Sequence, residues 1–316
     1  MILWVLRMGF YKKLQNFIGV LFFVCLLLFM LTDSKHALEF ASQGLLVWFH
    51  TMIPTLFPFM ILSGILIRTG LSEKIATLFE PILGKVYRLS PNCVYIILMG
   101  FLCGFPMGAA LITESLSFQR ITKEEGKLLL AFCNNIGPVY FIGYVLKNCP
   151  TKNPIASICL MYFIPFFYGL FLRHTIFRNT IPYCDKKRSK QVLSIPFLEA
   201  LEQSLNKGIE SITKLGGYMI LFNVMNLFLR NRYFCLPYAF QLILGCLLEI
   251  SGGIHVLSND SMFYPIAYVL LPFGGLCCIA QTFSMIRESG LHIQNYVYHK
   301  VIQSVLTAIF VFVFSS

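Results

Sequence analysis

Long apolar stretches without Lys, Arg, Asp or Glu recur along the chain, nine of them, each 15 to 28 residues long. A helix that crosses a bilayer needs about 20 mostly apolar residues, and its backbone amides must be satisfied within the segment. The pattern therefore predicts an all-α, polytopic integral membrane protein with about 8–10 transmembrane or re-entrant helices. The stretches lie between Lys13 and Asp33, Glu39 and Arg68, Arg88 and Glu114, Lys127 and Lys147, Lys152 and Arg173, Lys214 and Arg230, Arg232 and Glu249, Asp260 and Arg287, and after Lys300.

Composition supports the same class. The 316 residues are 57% hydrophobic and 12% charged, whereas a soluble domain has roughly 45–50% and about 25%. This excludes a soluble enzyme, a nucleic-acid-binding domain and a disordered tail. The formal net charge of +11 fits basic loops that face the cytoplasm. The 11 cysteines form no CxxC pair and the histidines no HExxH motif, so we expect neither a metal site nor a cofactor.

The distribution of basic residues predicts the domain organisation. Arg7, Lys12 and Lys13 precede the first apolar stretch, which is either a signal peptide or, as we favour because no small-x-small cleavage site follows, an uncleaved helix with a cytoplasmic N-terminus. The basic segment from Arg173 to Gln191 predicts a cytoplasmic loop, and 195–211 predicts an amphipathic helix along the interface. We divide the chain into an N-terminal helix (1–38), a first membrane repeat (39–176), a basic loop (177–196) and a second repeat (197–316).

Short motifs in the two halves echo each other in the same order. With a cytoplasmic N-terminus and a cytoplasmic basic loop, the halves would be inverted, although Arg230 and Arg232 would then lie outside. Inverted repeats with broken helices are common in secondary transporters, which hold substrate near the bilayer midplane. The echoes pair Pro58–Leu62 with Gly217–Leu221, Glu80–Pro81 with Glu249–Gly253, and Gly104–Gly108 with Gly274–Gln281.

Three glutamates at or near helix breaks are candidates for ion or proton coupling. Glu80 precedes Pro81, Glu249 precedes Ser251 and two glycines, and Glu114 follows a glycine-rich break by one to two turns. A carboxylate in the apolar layer is costly and is therefore a functional candidate. The alternative for each is a solvated position at the headgroup level or a helix end.

Glycine, proline and amide side chains interrupt three apolar stretches. Such breaks free backbone groups that can face a ligand; the alternatives are packing kinks and amides that join neighbouring helices. A capping box at Thr122 and Glu125 predicts the start of the helix that leads into Asn134. We expect substrate-binding residues at Gly104, Phe105, Pro106, Gly108, Asn134, Asn135, Gly137, Gly275 and Gln281.

The series Met99–Ala109 (GFPMG), Ile121–Pro138 (ITKEEG and NNIGP) and Phe273–Leu276 resembles the sporulation integral membrane proteins of the YlbJ type, which carry a nucleoside-recognition (Gate) domain. The resemblance covers roughly residues 40–315. It implies a permease in a membrane around the developing spore, linked to movement of dipicolinic acid (pyridine-2,6-dicarboxylate). It also implies a relation to nucleoside transporters with inverted repeats.

The expected function is therefore a secondary transporter in spore formation, not an enzyme, with dipicolinate as substrate and the outer forespore membrane as its location. The alternatives are a nucleoside or ion transporter and a non-transporting membrane scaffold for a sporulation complex. The expected partners are the substrate, the lipid bilayer and a coupling proton or sodium ion, without nucleic acid; homo-oligomerisation is left open. Dipicolinate is a dianion, so carboxylates in its pocket need a proton, a cation or helix N-termini to offset them.

Overall fold

The computed structural model describes residues 17, 19–181, 194–230, 237–258 and 261–314, and every regular element within them is helical. The basic residues at 7, 12, 13, 186–188 and 190, on which orientation was argued, lie outside this part. The helices are α1 (Gly19–Thr32), α2 (Ser34–Val47), α3 (Ile53–Thr69), α4 (Leu71–Phe79), α5 (Lys85–Tyr87), α6 (Pro91–Cys103), α7 (Met107–Ser117), α8 (Lys123–Phe132), α9 (Pro138–Tyr140), α10 (Leu146–Asn148), α11 (Pro154–His174), α12 (Phe197–Arg230), α13 (Tyr238–Leu248), α14 (Ile250–Leu257), α15 (Tyr264–Leu270), α16 (Gly275–Ile286) and α17 (Ile293–Phe314).

Continuous helical segments long and apolar enough to cross a membrane confirm the predicted all-α, polytopic membrane class. Three occur in the described residues: Ser34–Thr69, Pro154–His174 and Ser261–Ile286. A fourth candidate is the pair Leu71–Tyr87 and Pro91–Cys103, which is bent by 96°. The other apolar stretches are divided into shorter helices, so the count of 8–10 crossing or re-entrant helices stays a prediction.

The predicted breaks occur where glycine, proline or a polar residue interrupts an apolar stretch. Gly104–Pro106 separates α6 from α7, and Cys133–Gly137 separates α8 from α9. Glu249 alone separates α13 from α14, with extended backbone at φ −145°, and Leu271–Gly274 separates α15 from α16. Glu80 begins a π-helical turn (Glu80–Gly84) directly after α4. Thr122 and Glu125 form both halves of the predicted capping box at the start of α8.

Helix α12 differs from its prediction. The amphipathic segment 195–211 does not form a separate helix along the interface, because it continues without a break into the 34-residue α12. Within 197–211 the buried positions of α12 are small, and they let it approach α3 closely: Ser204 and Gly208 lie against Gly64 and Phe57 of α3. Large apolar residues of this segment, such as Leu198 and Leu205, are exposed. Small residues between helices and large ones toward lipid are typical of membrane helix packing.

Arg173 was predicted to belong to the basic loop, but it lies at the end of α11 and is buried. Its guanidinium donates to the carbonyl oxygens of Arg88, Phe177 and Ile181, each at 3.1 Å. A planar guanidinium carries five donors. It therefore binds three backbone carbonyl groups at once, which a sequence-based count of loop charges does not reveal.

The order of elements recurs in the two halves. In the first, a broken pair (α6 and α7) precedes a second broken pair (α8 and α9) and a long helix (α11). In the second, α13 and α14 precede α15 and α16, and then α17. The pairing of particular breaks between the two halves stays a prediction.

Candidate functional site

The four helix breaks surround one cavity. Each break contributes at least one wall residue, and α3, Met52 just before it and α12 close the remaining side. The polar wall residues come from both halves of the chain, which makes this the site where those halves meet. The lining residues are Met52, Thr55, Leu56, Phe59, Leu102, Cys103, Phe105, Ile136, Gly137, Val139, Tyr140, Leu215, Met219, Glu249, Ile250, Ser251, Leu271, Gly274, Cys278 and Gln281.

Two breaks of the first half pack directly on each other through glycines. A Cβ on Gly100 or Gly108 would lie 2.5 or 2.7 Å from Cys133 O, and a Cβ on Gly104 would overlap Gly137 N. These distances are shorter than any van der Waals contact, so only glycine allows this approach. The GFPMG motif therefore serves first to bring the α6–α7 turn onto the α8–α9 break. Of its residues, Phe105 reaches the cavity, whereas Pro106 and Gly108 do not line it.

Asn134 and Asn135 are buried but do not line the cavity. Asn134 Nδ2 donates to Thr282 Oγ1 at 3.0 Å and to Tyr296 OH at 3.1 Å, while its Oδ1 accepts from Ala109 N at 3.4 Å. Asn135 Nδ2 donates to Phe132 O at 2.5 Å. The hydrogen bonds of Asn134 thus join the α8–α9 break to α7, α16 and α17, which is the alternative to substrate binding that the sequence left open. Gly137, beside the two amides, lines the cavity.

Glu249 lines the cavity and is buried. Its carboxylate accepts hydrogen bonds from Ser251 N (3.0 Å) and Gly252 N (2.5 Å) at the start of α14, and from Asn223 Nδ2 (3.1 Å) of α12. A carboxylate at a helix N-terminus is stabilised by the free N–H groups and by the helix dipole. The negative charge of Glu249 is therefore offset by three donors that belong to the protein itself.

The break before α16 depends on two consecutive glycines. Gly274 and Gly275 have φ of +76° and +80°, a region that L side chains rarely adopt. Gly275 also lies against the last carbonyls of α13, where a Cβ would be 3.0 Å from Cys246 O. Gly274 and Gln281 line the cavity, and Gly275 lies just behind its wall. Gln281 Nε2 donates to Cys277 Sγ at 3.2 Å.

The other two predicted coupling residues lie outside the cavity. Glu80 is half-buried in the turn that follows α4. Glu114, on α7, forms an ion pair with Arg68 Nη1 of α3 at 2.6 Å, and Arg68 Nη1 also donates to Ser204 Oγ of α12 at 2.9 Å. Glu114 therefore joins three helices, and Glu249 is the one predicted acid in the wall.

The sequence-based prediction missed a polar stripe on α17, because it used Lys300 only as the boundary after which the last apolar stretch begins. Tyr296, Lys300, Gln303 and Thr307 follow one another at intervals of three or four, and all are buried. This spacing places them on one face of a helix, which is the signal that could have found them. Lys300 Nζ donates to Asn135 Oδ1 at 2.7 Å and to Gln303 Oε1 at 3.1 Å.

The site thus holds one buried carboxylate in the wall and one buried amine behind it. Cys278, a wall residue, lies within electrostatic range of both Glu249 and Lys300. The ion pairs in the described part of the chain do not include either group. Opposite charges held apart around a cavity can act on different parts of a ligand or on a ligand and an ion.

Comparison with known proteins supports the resemblance seen in the motifs. Residues 49–168 match the model of the Gate family, described as nucleoside recognition. The chain is 24% identical over 338 aligned positions to the sporulation integral membrane protein YlbJ of Bacillus subtilis (strain 168), in an alignment that covers 95% of this chain and 83% of the relative. The resemblance predicted from the sequence is thereby confirmed. No solved structure matches the chain.

Proposed function

We propose that this protein is a secondary transporter that moves a small polar molecule across a membrane around the forespore, with dipicolinate as its substrate. The observation that carries the proposal is the meeting of four helix breaks at one cavity. Broken helices around a central site are the general device by which transporters hold a substrate near the midplane. A scaffold has no need for such convergence.

The lining of the cavity suits a small aromatic acid. Phe105 and Tyr140 offer aromatic surface for a flat ring, and Thr55, Ser251 and Gln281 offer polar groups. The relative from Bacillus subtilis is named a sporulation membrane protein, which supports a role of this chain in spore formation.

The charges around the cavity support binding of an anion more strongly than the sequence predicted. With Glu80 and Glu114 outside the cavity, the repulsion expected from several carboxylates is reduced to that of Glu249, whose charge three donors offset. Helix α16 also begins at the cavity, where Gly274 lines the wall, and helix N-termini attract anions. Glu249 is the proposed site for the coupling proton or sodium ion.

The recurring order of broken helices supports the proposal of two repeats. Their opposite orientation and the cytoplasmic position of the N-terminus remain part of the proposal, because the basic residues that argue for them lie mostly outside the described residues. Transport by rocking of one repeat against the other would expose the cavity to each side in turn.

A nucleoside is the second candidate substrate. The match of residues 49–168 to a family described as nucleoside recognition favours it. The hydroxyl and amide groups of Thr55, Ser251 and Gln281 suit the hydroxyl and carbonyl groups of a nucleoside. The same uptake experiment distinguishes the two substrates.

The test is uptake of labelled dipicolinate into proteoliposomes, with and without a proton or sodium gradient and with unlabelled nucleosides as competitors. Thr55→Trp fills the cavity and should abolish uptake, whereas Thr77→Trp, at an exposed position on α4, should not. Gradient-driven uptake that only the Thr55 variant loses would support the proposal. Uptake blocked by nucleosides would favour the second candidate, and no uptake by folded protein would favour the scaffold.

A further inference from the structure

Lys300 is completely buried, with a relative exposure of 0%, in the N-terminal half of helix α17. Its two hydrogen-bond acceptors, Asn135 Oδ1 and Gln303 Oε1, belong to neutral amides. Within the described part of the chain the third N–H of its ammonium group has no acceptor, and no carboxylate lies within ion-pair distance. A membrane protein rarely keeps such a charge without a use, because burying it costs several kcal/mol.

Lys300 lies next to the cavity wall, and this position indicates a role in ligand binding. Its Nζ lies 5.2 Å from the centre of the Phe105 ring, and Phe105 forms part of the cavity wall. The ring therefore separates the amine from the cavity while the face of the ring stabilises the charge. Phe105 belongs to the turn between α6 and α7, and its ring is the wall group that lies next to the amine.

The groups that hold Lys300 by hydrogen bonds are neutral. Asn134 is hydrogen-bonded to Thr282, Tyr296 and Ala109 rather than to Lys300. Asn135 has its amide nitrogen committed to Phe132 O. The amine is thus held in a fixed position by neutral groups that do not cancel its charge, which is the arrangement expected of a site whose counter-charge arrives with a ligand.

We propose that Lys300 is the specificity-determining residue of the cavity and that it pairs with a carboxylate of the transported molecule once Phe105 moves aside. The inference rests on the proposed transport function and names the ligand chemistry of the same site: a small carboxylate anion. Glu249, in the wall of the cavity, then serves the coupling ion rather than the substrate. The two buried charges thereby have separate partners.

The experiment measures binding to purified full-length protein by two ligands of the same shape, pyridine-2,6-dicarboxylate and the uncharged pyridine-2,6-dicarboxamide. The wild-type protein should bind the acid at least about tenfold more tightly than the amide, as expected for a charge-assisted hydrogen bond. Lys300→Met should lose this preference through a drop of about 10- to 100-fold for the acid alone. Lys214→Met, which removes an exposed lysine of α12, should bind both ligands like the wild type.

A second variant guards against a folding defect. Lys300→Gln keeps a polar group beside Asn135 and Gln303 but carries no charge, so it should also bind acid and amide alike while its unfolding temperature stays near that of the wild type. An acid preference that persists in both Lys300 variants would overturn this inference and leave the transport proposal intact. A wild-type protein without acid preference would also overturn it, and one that binds neither ligand would overturn both proposals.

Discussion

Asn134 Nδ2 lies 3.0 Å from Thr282 Oγ1, although 148 positions separate the two residues. The bond connects the α8–α9 break of the first half with α16 of the second, directly behind the cavity wall. Asn134 also reaches Tyr296 of α17 and Ala109 of α7. One buried amide therefore fixes the relative positions of three helices that form or support the site.

Replacing Asn134 should destabilise the protein by more than the loss of one hydrogen bond. Asn134→Leu removes three hydrogen bonds, two of them to the buried hydroxyl groups of Thr282 and Tyr296, so we expect a loss of about 1–3 kcal/mol of unfolding free energy. Thermal unfolding in detergent measures it. Asn206→Leu, the same change at an exposed position of α12, is the control and should be nearly neutral. Equal effects of the two substitutions would contradict the role of Asn134.

Glu249 should be required for coupling, and Glu80 should not. Glu249→Gln removes the charge from the cavity wall and replaces one oxygen that accepts a backbone N–H of α14. We expect gradient-driven accumulation to be lost, with a loss of about 0.5–2 kcal/mol in stability from the weakened cap. Uptake with and without a gradient checks this.

Glu80→Gln is the matched control, because it makes the same chemical change outside the cavity. It should keep the gradient dependence of the wild type. If Glu249→Gln also kept that dependence, the assignment of the coupling site to Glu249 would be wrong.

The glycines of the α6–α7 turn should tolerate no side chain. In Gly108→Ala the added Cβ would lie 2.7 Å from Cys133 O and 3.0 Å from Asn134 Cα, and backbone atoms cannot rotate away. We expect a loss of about 1–3 kcal/mol and loss of uptake. Gly217→Ala is the control because nothing lies within 4 Å of its Cβ position on α12; it should be neutral or gain up to about 1 kcal/mol. The unfolding temperatures of the two variants are the measurement. A loss confined to Gly108→Ala would show that this glycine is needed for close packing, whereas equal changes in both variants would contradict that role.

The Arg68–Glu114 ion pair should be structural. Its side chains are only 9% and 16% exposed, and removing one partner of a buried pair costs about 3–5 kcal/mol. Arg68→Met and Glu114→Leu should each be strongly destabilising, while the double variant should lose much less than the sum. A double-mutant cycle on unfolding free energy measures the coupling. The exposed Glu210–Lys214 pair of α12 is the control, for which we expect a coupling close to zero.

Much of the local structure followed from the sequence. Glycine, proline and polar residues inside apolar stretches predicted the breaks at Gly104, Asn134, Glu249 and Gly274, because these residues weaken a helix wherever they stand. The capping box at Thr122 is likewise local, since its two partners lie three positions apart. The membrane class followed from composition alone, because only helices satisfy their backbone in lipid.

The site itself depended on the tertiary structure. Glu80 and Glu249 look alike as acids beside helix breaks, yet only Glu249 lines the cavity, because the fold carries α4 elsewhere. Lys300 looked like the boundary before the last apolar stretch, yet it donates a hydrogen bond to Asn135, 165 positions away. Local periodicity determines which face of a helix a residue occupies, whereas the partner of that face is decided by packing between distant helices. The sequence therefore determined where this chain bends, and the tertiary structure decided which bends, and which buried charges, share one cavity.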